Sequence, residues 1–403
     1  MVRTKLSWGA LSVAQFLAHF WQRKPLLLRG FVEPSAVNTE LQMLRDHALG
    51  PTVPSRLIRH RGTGWSLAHG PFERLPSLKT PGWTVLLQGM DCVHPQAHAL
   101  RCAFAFLPQA RIDDVMVSVA SHGGGVGAHA DAYDVFLVQG RGRRRWRWGW
   151  QSEQKYREDT ALRLLKHFDP QDEAILGPGD ALYLPPRWCH EGTALEPCST
   201  WSVGFRAPSR KEFLAHFLAE AADPVCGGDP RYTDPHPGDL GESARVPTRL
   251  QAQLERWALD YRPDRATLTR ALGRFLTEPQ PHAVFDAPTN DLELQDFAEE
   301  LLTHGIALAP ATRLLYNTRH AWINGECAGS PGVLLRRLAD QGALDARDLR
   351  IAKPRPPGSA LDPAANEMKC KQSVDFSPLI KRLYRWYASG WVVLGQLPWG
   401  RNL

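Results

Sequence analysis

The chain has 403 residues, 43% of them hydrophobic and 22% charged, which suits a globular protein of two or three domains and excludes a low-complexity or disordered polymer. Its formal net charge of +6 gives a mildly basic surface, compatible with work near nucleic acid or ribonucleoprotein without establishing it. The cysteines, seven in all and without a C-x-x-C pair, fit free thiols in a reducing compartment rather than a disulfide scaffold.

The N-terminal segment lacks the apolar core of a signal peptide, and no run approaches the ~20 apolar residues that cross a bilayer, so a cytoplasmic protein is expected. Ser12-x-x-Gln15 is a capping box opening a helix that pairs Phe16 with Phe20 and Leu17 with Trp21. Pro25 is expected to end it, and 26–28 reads as a short buried strand. From about residue 80 to 207, apolar runs at 83–87, 115–119, 135–138, 181–184 and 200–203 alternate with Gly and Pro turns. That spacing predicts an antiparallel sandwich or barrel rather than βαβ units. Beyond Pro208, helices are predicted at 211–222, 250–259 and 266–276, with a Pro/Gly/Asp-rich connection at 223–237. A third region from about 285 carries predicted helices at 291–303, 332–340 and 377–389. Strands are predicted at 313–316, 320–323 and 391–394, with Asn324-Gly325 as a turn and 353–359 as a loop. Helices with a small β-ribbon resemble a winged-helix module. The class is therefore α+β, divided as 1–208, 209–284 and 285–403.

Chemistry concentrates in the run Gly123-Gly-Gly-Val-Gly-Ala-His129-Ala-Asp131-Ala-Tyr133-Asp134. On a strand, alternate side chains share a face, so His129 and Asp131 can grip one ion. The glycines allow an unusual backbone path and close approach. An H-x-D pair alone is commonly a chance match. Here a turn at Pro178-Gly-Asp180, the strand 181–184 and the rigid Pro185-Pro186 deliver a second histidine, His190. Two histidines and one carboxylate leave three coordination positions open, the arrangement of a non-haem Fe(II) oxygenase that takes a co-substrate and dioxygen. Arg144 lies in Gly140-Arg-Gly-Arg-Arg144-Arg-Trp-Arg-Trp-Gly149. Alternation places Arg144, Trp146 and Trp148 on one face, Arg145 and Arg147 on the other. A buried arginine needs an anion and its fork matches a carboxylate, such as the distal one of 2-oxoglutarate. The competing reading is a basic, aromatic-interleaved patch for RNA, and the outward Arg145 and Arg147 leave room for both.

The runs 123–134, 143–146, 178–192 and Trp201-Ser-Val-Gly-Phe-Arg-Ala-Pro208 resemble the bacterial ribosomal oxygenases, as does Phe20-Trp-Gln-Arg-Lys-Pro-Leu26. The likeness covers residues 10 to 210 and continues more loosely as a helical dimerisation region and a C-terminal winged helix. It implies a JmjC-type, cupin-fold double-stranded β-helix that hydroxylates an arginine of a large-subunit ribosomal protein of the uL16 class. It further implies Fe(II) on His129, Asp131 and His190, 2-oxoglutarate on Arg144 with help from Ser202, and dioxygen at the open position. Asp114 and Tyr133 would shape the substrate-arginine pocket, since a guanidinium suits a carboxylate and an aromatic face. The bland alternatives are a solvated Asp113-Asp114 turn and core packing for Tyr133. His122, Trp188 and Cys189 are expected to pack or support rather than ligate. Other readings keep the iron but attack histidine or methyl-lysine, or make the chain a non-catalytic nucleic-acid-binding regulator. Against the regulator, 332–340 carries only Arg336 and Arg337, and 377–389 only Lys381, Arg382 and Arg385, all among apolar residues. The apolar helices after Pro208 suit a homodimer.

Overall fold

The structure, a computed structural model, describes residues 4–62, 64–222, 246, 248–260, 262–281, 283–289, 292–351 and 377–397. The connection at 223–237 and the loop at 353–359 lie outside them, as does the predicted first residue of the helix from Asp291.

The N-terminal half is built from strands β1 (Leu26–Leu28), β2 (Ser55–Arg61), β3 (Gly64–His69), β4 (Trp83–Leu87), β5 (Ile112–Ala120), β6 (His129–Ala130), β7 (Asp134–Gln139), β8 (Arg144–Gly149), β9 (Asp172–Leu176), β10 (Ala181–Leu184), β11 (Cys189–Ala194) and β12 (Cys198–Phe205). Helices α1 (Val13–His19), α2 (Leu41–Asp46) and α3 (Pro95–Ala103) accompany them. The strands form an eight-stranded sheet, ordered β1-β10-β7-β12-β5-β4-β2-β3, and a four-stranded sheet, ordered β6-β11-β8-β9. All their pairings are antiparallel, and together they make the expected double-stranded β-helix.

Period-two alternation decides what each strand shows to each side. On β5, Val115, Val117 and Val119 enter the main core with Phe16, Leu44, Leu100 and Phe104, outside the large sheet. Asp114, Met116 and Ser118 line the cavity between the sheets instead. A separate cluster of Val135, Leu137, Trp146, Trp148, Leu176, Leu182 and Leu184 packs the rest of that interior. In α1 the capping box forms, with Gln15 N to Ser12 Oγ at 3.1 Å and Ser12 N to Gln15 Oε1 at 2.8 Å. Pro25 is not what stops this helix. The backbone amides of Phe20 and Trp21 both bond to Phe16 O, and Gln22 turns to φ 58°, so the helix closes several residues earlier.

The sequence reading placed no strands at β2, β3 or β9. The β2–β3 pair forms one edge of the large sheet and β9 one edge of the small one. Exposed Arg59 and Arg61 on β2, and Asp172 and Glu173 on β9, interrupt the apolar pattern, and the short Trp65–Leu67 alternation of β3 is bounded by exposed residues.

The C-terminal half comprises α4 (Arg210–Ala222), α5 (Thr248–Asp260), α6 (Arg265–Thr277), α7 (Leu294–His304), β13 (Ile306–Leu308), β14 (Leu314–Tyr316), β15 (Ala321–Ile323), β16 (Glu326–Gly329), α8 (Val333–Gln341), β17 (Ala343–Leu344), α9 (Ala346–Ile351), α10 (Pro378–Ala388) and β18 (Val392–Leu394). Phe297, Leu301, Ile306, Leu335, Leu338, Leu383 and Trp386 form a second core there. Asn324 and Gly325 take φ 46° and 85° and close a tight hairpin between Ile323 and Glu326. That turn leads into β16, a third ribbon strand the sequence reading did not place. No helix among the described residues is long and apolar enough to cross a membrane.

Candidate active site

His129 on β6 and His190 on β11 are direct cross-strand partners, which brings their rings to 4.3 Å between centroids. Asp131 follows one residue after β6 ends. The turn that carries Pro185 and Pro186 is tied to it, since Arg187 N donates to Asp131 O at 2.7 Å. The glycine-rich approach answers a close contact: a Cβ at Gly125 would lie 2.3 Å from Gly192 O on β11. One potential ligand atom from each of His129, Asp131 and His190 lies within 4.8 Å of the others, with His190 Nε2 3.7 Å from Asp131 Oδ2.

Both imidazoles are oriented for metal binding. His129 Nδ1 sits 2.9 Å from Gly127 O and His190 Nδ1 3.0 Å from Trp188 O. A proton on each Nδ1 donates to that carbonyl and leaves the Nε2 lone pair free for an ion. Burial, then the neighbouring His129, pushes the His190 imidazole down to about 4, so it is neutral at pH 7, the form that ligates. The donor set therefore fits a divalent transition metal with open positions.

Arg144 begins β8, whose residue Trp148 stands opposite His190. Four residues of strand separate Arg144 from that pairing, about 13 Å at the usual rise. Its side chain is buried, 4% exposed, and faces the same cavity as the histidines. Nη1 donates to Ser118 Oγ at 3.2 Å, while Nε and Nη2 have no acceptor among the described residues. A buried guanidinium with no carboxylate beside it is costly unless a ligand supplies the anion. The outward side behaves differently: Arg147 on β8 pairs with Glu191, and Arg143, just before the strand, with Glu196. Those pairings weigh against an RNA-binding stripe on this strand.

One cavity of about 400 Å³ gathers His129, Asp131, His190, Arg144, Ser202, Asp114 and Tyr133. Ser202, on β12, is 8% exposed and lines it without a hydrogen bond to Arg144 among the described residues. Asp114 is 7% exposed and is no solvated turn: its Oδ2 accepts from Gln88 Nε2 at 2.5 Å and Gly89 N at 2.9 Å. Burial, with Asp91 and Asp113 close by, lifts its carboxyl to about 7 despite those bonds. Tyr133 is 41% exposed at the rim rather than packed in the core. His122 is exposed, Trp188 contributes its carbonyl to His190, and Cys189 is buried beside Gln154. The sequence reading missed Ser118, Met116, Gln88 and Arg56, all of which line the cavity. Counting every second residue from Asp114 along β5 would have found Met116 and Ser118.

A family model described as a JmjC domain matches residues 99–213, and one described as a ROXA-like winged helix matches 258–358. Fold and cluster thus define a JmjC-type oxygenase with a winged-helix extension. The chain is 34% identical over 356 residues to the ribosomal protein uL16 3-hydroxylase of Escherichia coli, covering 84% of this chain and 91% of that protein. It is 35% identical over 223 residues to a probable ribosomal oxygenase of Haemophilus influenzae, covering 53% and 54%. The X-ray structure of Escherichia coli YcfD superposes with a TM-score of 0.77 at 30% identity, over 97% of this chain and 100% of that one. A structure of the same ribosomal oxygenase with cobalt and 2-oxoglutarate gives a TM-score of 0.74 at 28% identity, over 97% and 99%. The chain belongs to the JmjC-type ribosomal oxygenase family.

Proposed function

We propose that this protein is an Fe(II)- and 2-oxoglutarate-dependent hydroxylase of an arginine in a ribosomal protein of the uL16 class. One observation carries the reading. A buried guanidinium with no carboxylate partner among the described residues shares a cavity with two histidines and an aspartate whose ligand atoms converge. His129, Asp131 and His190 would hold the metal, and Arg144 would neutralise and orient the far carboxylate of 2-oxoglutarate, with Ser118 and Ser202 beside it. When bound, ferrous ion and 2-oxoglutarate together supply an oxidant from dioxygen, the oxo-acid leaving as succinate and carbon dioxide. Trp146, Val135 and Leu137 line the cavity and keep water away from the reacting carbon. Asp114 would take the substrate guanidinium by a charge-assisted hydrogen bond while the Tyr133 ring covers it at the rim. No general base is required of the chain, because the abstracted hydrogen comes from carbon.

The basic side chains of the candidate recognition helices support packing over groove reading. Arg337 pairs with Asp348, Arg336 donates to Pro331 O and lies over Tyr316, and Arg385 pairs with Glu326. A homodimer is part of the proposal, because α5 leaves Leu254, Trp257 and Leu259 in solvent and α4 leaves Leu218. The decisive experiment compares intact masses of ribosomal proteins from cells with and without the gene, then repeats the reaction with purified uL16. A gain of one oxygen atom, located on an arginine by fragmentation, is expected. Modification of histidine or lysine, or none, refutes the assignment. Light scattering of the purified chain tests the dimer.

A further inference from the structure

Strands β5 and β12 pair regularly from Cys198 opposite Ala120 to Val203 opposite Val115, and then the register shifts before Phe205 meets Ile112. Two residues of β5, Asp113 and Asp114, therefore face the single residue Gly204. This is a β-bulge, a device that re-aims side chains and recurs beside active sites. Both residues line the cavity and the smaller cleft toward the C-terminal half, and it is Asp113 that the C-terminal half bonds. Gly204 does not have a left-handed φ, and a Cβ there would come no closer than 3.8 Å to Asp114 Oδ1 and Tyr133 Cε2. Neither backbone nor crowding demands glycine here, so what it provides is an open slot between carboxylate and ring.

The sheet itself does not hold the bulge on its other side. Strand β4 ends at Leu87, opposite Val117, so residues 112–116 have no strand neighbour there. Side chains bond that stretch instead. Asp91 Oδ1 accepts from Val115 N at 2.9 Å, and Gly89 N reaches Asp114. The remaining contacts come from far along the chain. Arg313 Nη2 donates to the backbone carbonyl of Asp113 at 2.8 Å, and Gln280 Nε2 donates to Asp113 Oδ1 at 2.7 Å. Arg313, just before β14, has a side chain only 9% exposed and lies 3.9 Å from the Asp113 carboxylate as well. Arg206 approaches that carboxylate at 3.9 Å and Arg101 pairs with Asp91 at 3.3 Å, so the acids at this seam are met by arginines from both halves. Burying a guanidinium against a backbone carbonyl and a carboxylate 3.9 Å away is a costly way to join two domains, and apolar side chains would join them more cheaply. What the pair of donors adds is directional control of the bulge.

We propose that Arg313 and Gln280 are positioning residues for the protein substrate. By pinning the Asp113–Asp114 bulge from the winged-helix region, they set where the Asp114 carboxylate meets the incoming guanidinium, without touching the substrate themselves. This rests on the assignment of Asp114 as the substrate's partner. The test is steady-state kinetics of the full chain with recombinant uL16 as the probe. Arg313→Ala is expected to raise KM for uL16 about tenfold, with kcat and the KM for 2-oxoglutarate within about twofold of the parent. Arg313→Lys keeps a donor and a charge near Asp113 O and should recover most of the loss. Gln280→Ala should show a smaller rise, and it carries the test if thermal melting shows Arg313→Ala to be unfolded. Combining Arg313→Ala with Asp114→Asn should add nothing to Asp114→Asn alone. If Asp114→Asn leaves the KM unchanged, the reading of Asp114 falls and takes this proposal with it. If Asp114→Asn raises KM while Arg313→Ala and Gln280→Ala do not, the positioning role alone falls. Equal losses in kcat and in the KM for 2-oxoglutarate would mark Arg313 as merely structural and also overturn it.

Discussion

Replacing Arg144 by methionine separates a structural arginine from a co-substrate anchor, because the two roles demand opposite changes in stability. Without ligand, Arg144 makes one hydrogen bond among the described residues, to Ser118 Oγ, and leaves Nε and Nη2 without acceptors among them in a 4%-exposed position. Each orphaned buried donor costs about 1–3 kcal/mol, against about 1.5–3 kcal/mol for the single bond made by a charged group. Ser118 would keep Thr200 O, 3.4 Å away, as a partner. Methionine fills much of the same length against Trp146 without a charge to desolvate. The ligand-free variant should therefore be as stable as the parent or up to about 3 kcal/mol more stable, at roughly 2–4 °C in Tm per kcal/mol for a domain of this size. With 2-oxoglutarate the order reverses, since truncating one partner of a buried ion pair costs about 3–5 kcal/mol, or a factor of 10² to more than 10³ in affinity. Differential scanning fluorimetry, titrating 2-oxoglutarate at fixed cobalt(II), reads both effects in one experiment. A variant that melts lower without ligand and is stabilised by 2-oxoglutarate as much as the parent would refute the anchor role.

Asp131→Ala should abolish the cobalt(II) visible absorption and the metal-dependent rise in Tm; retention of both would remove Asp131 from the ligand set. The raised Asp114 carboxyl, lifted to about 7 by burial and by Asp91 and Asp113, takes up a proton as pH falls through that value. Because a guanidinium binds the carboxylate form, kcat/KM for uL16 should fall below about pH 7, and Asp114→Asn should remove that limb. The stability sign is opposite to that of a salt-bridged acid: the folded form holds the proton more tightly than the unfolded one, so this group's contribution is lost as pH rises from about 4 to about 7. Relative to the parent, Asp114→Asn should thus gain stability as pH rises through that window, measured by urea melts. Gly204→Val should close the slot between Asp114 and Tyr133, cutting uL16 hydroxylation at least tenfold. The same variant should bind 2-oxoglutarate normally in the fluorimetric assay, and unimpaired hydroxylation would show that the slot does not receive substrate.

The parts of the fold that the sequence displays are those where one side of an element is apolar. Val115, Val117 and Val119 alternate with cavity-facing residues, and Arg144, Trp146 and Trp148 alternate with Arg145 and Arg147, so these strands and their inward faces were legible. His129 and Asp131 share a side by the same rule, while their meeting with His190 depends on β6 pairing with β11, which spacing suggests and only the register decides. Edge strands β3 and β9 escaped because solvent accepts almost any residue on them. The bulge escaped for a different reason. Its signature is a mismatch between two strands, and neither Ile112–Ala120 nor Cys198–Phe205 shows it when read alone. Gln280 and Arg313 could not be tied to Asp113 from spacing, because hydrogen bonds between distant segments leave no local periodicity.

On the proposed reading, the hydroxyl beside Arg144 follows from the carboxylate that the arginine would bind. A carboxylate at Ser118 would satisfy the guanidinium internally and would compete with the oxo-acid for the same fork. Ser118 takes one donor, Nη1, and leaves the other edge of the guanidinium, Nε and Nη2, as a ready pair for a bidentate anion. The substrate side uses the inverse arrangement. Asp114 is a buried acid crowded by Asp91 and Asp113, and a bound cation would favour its carboxylate form. On the proposed reading, a guanidinium without a carboxylate partner among the described residues stands where the co-substrate would dock, and a carboxyl crowded by acids stands where the arginine would enter.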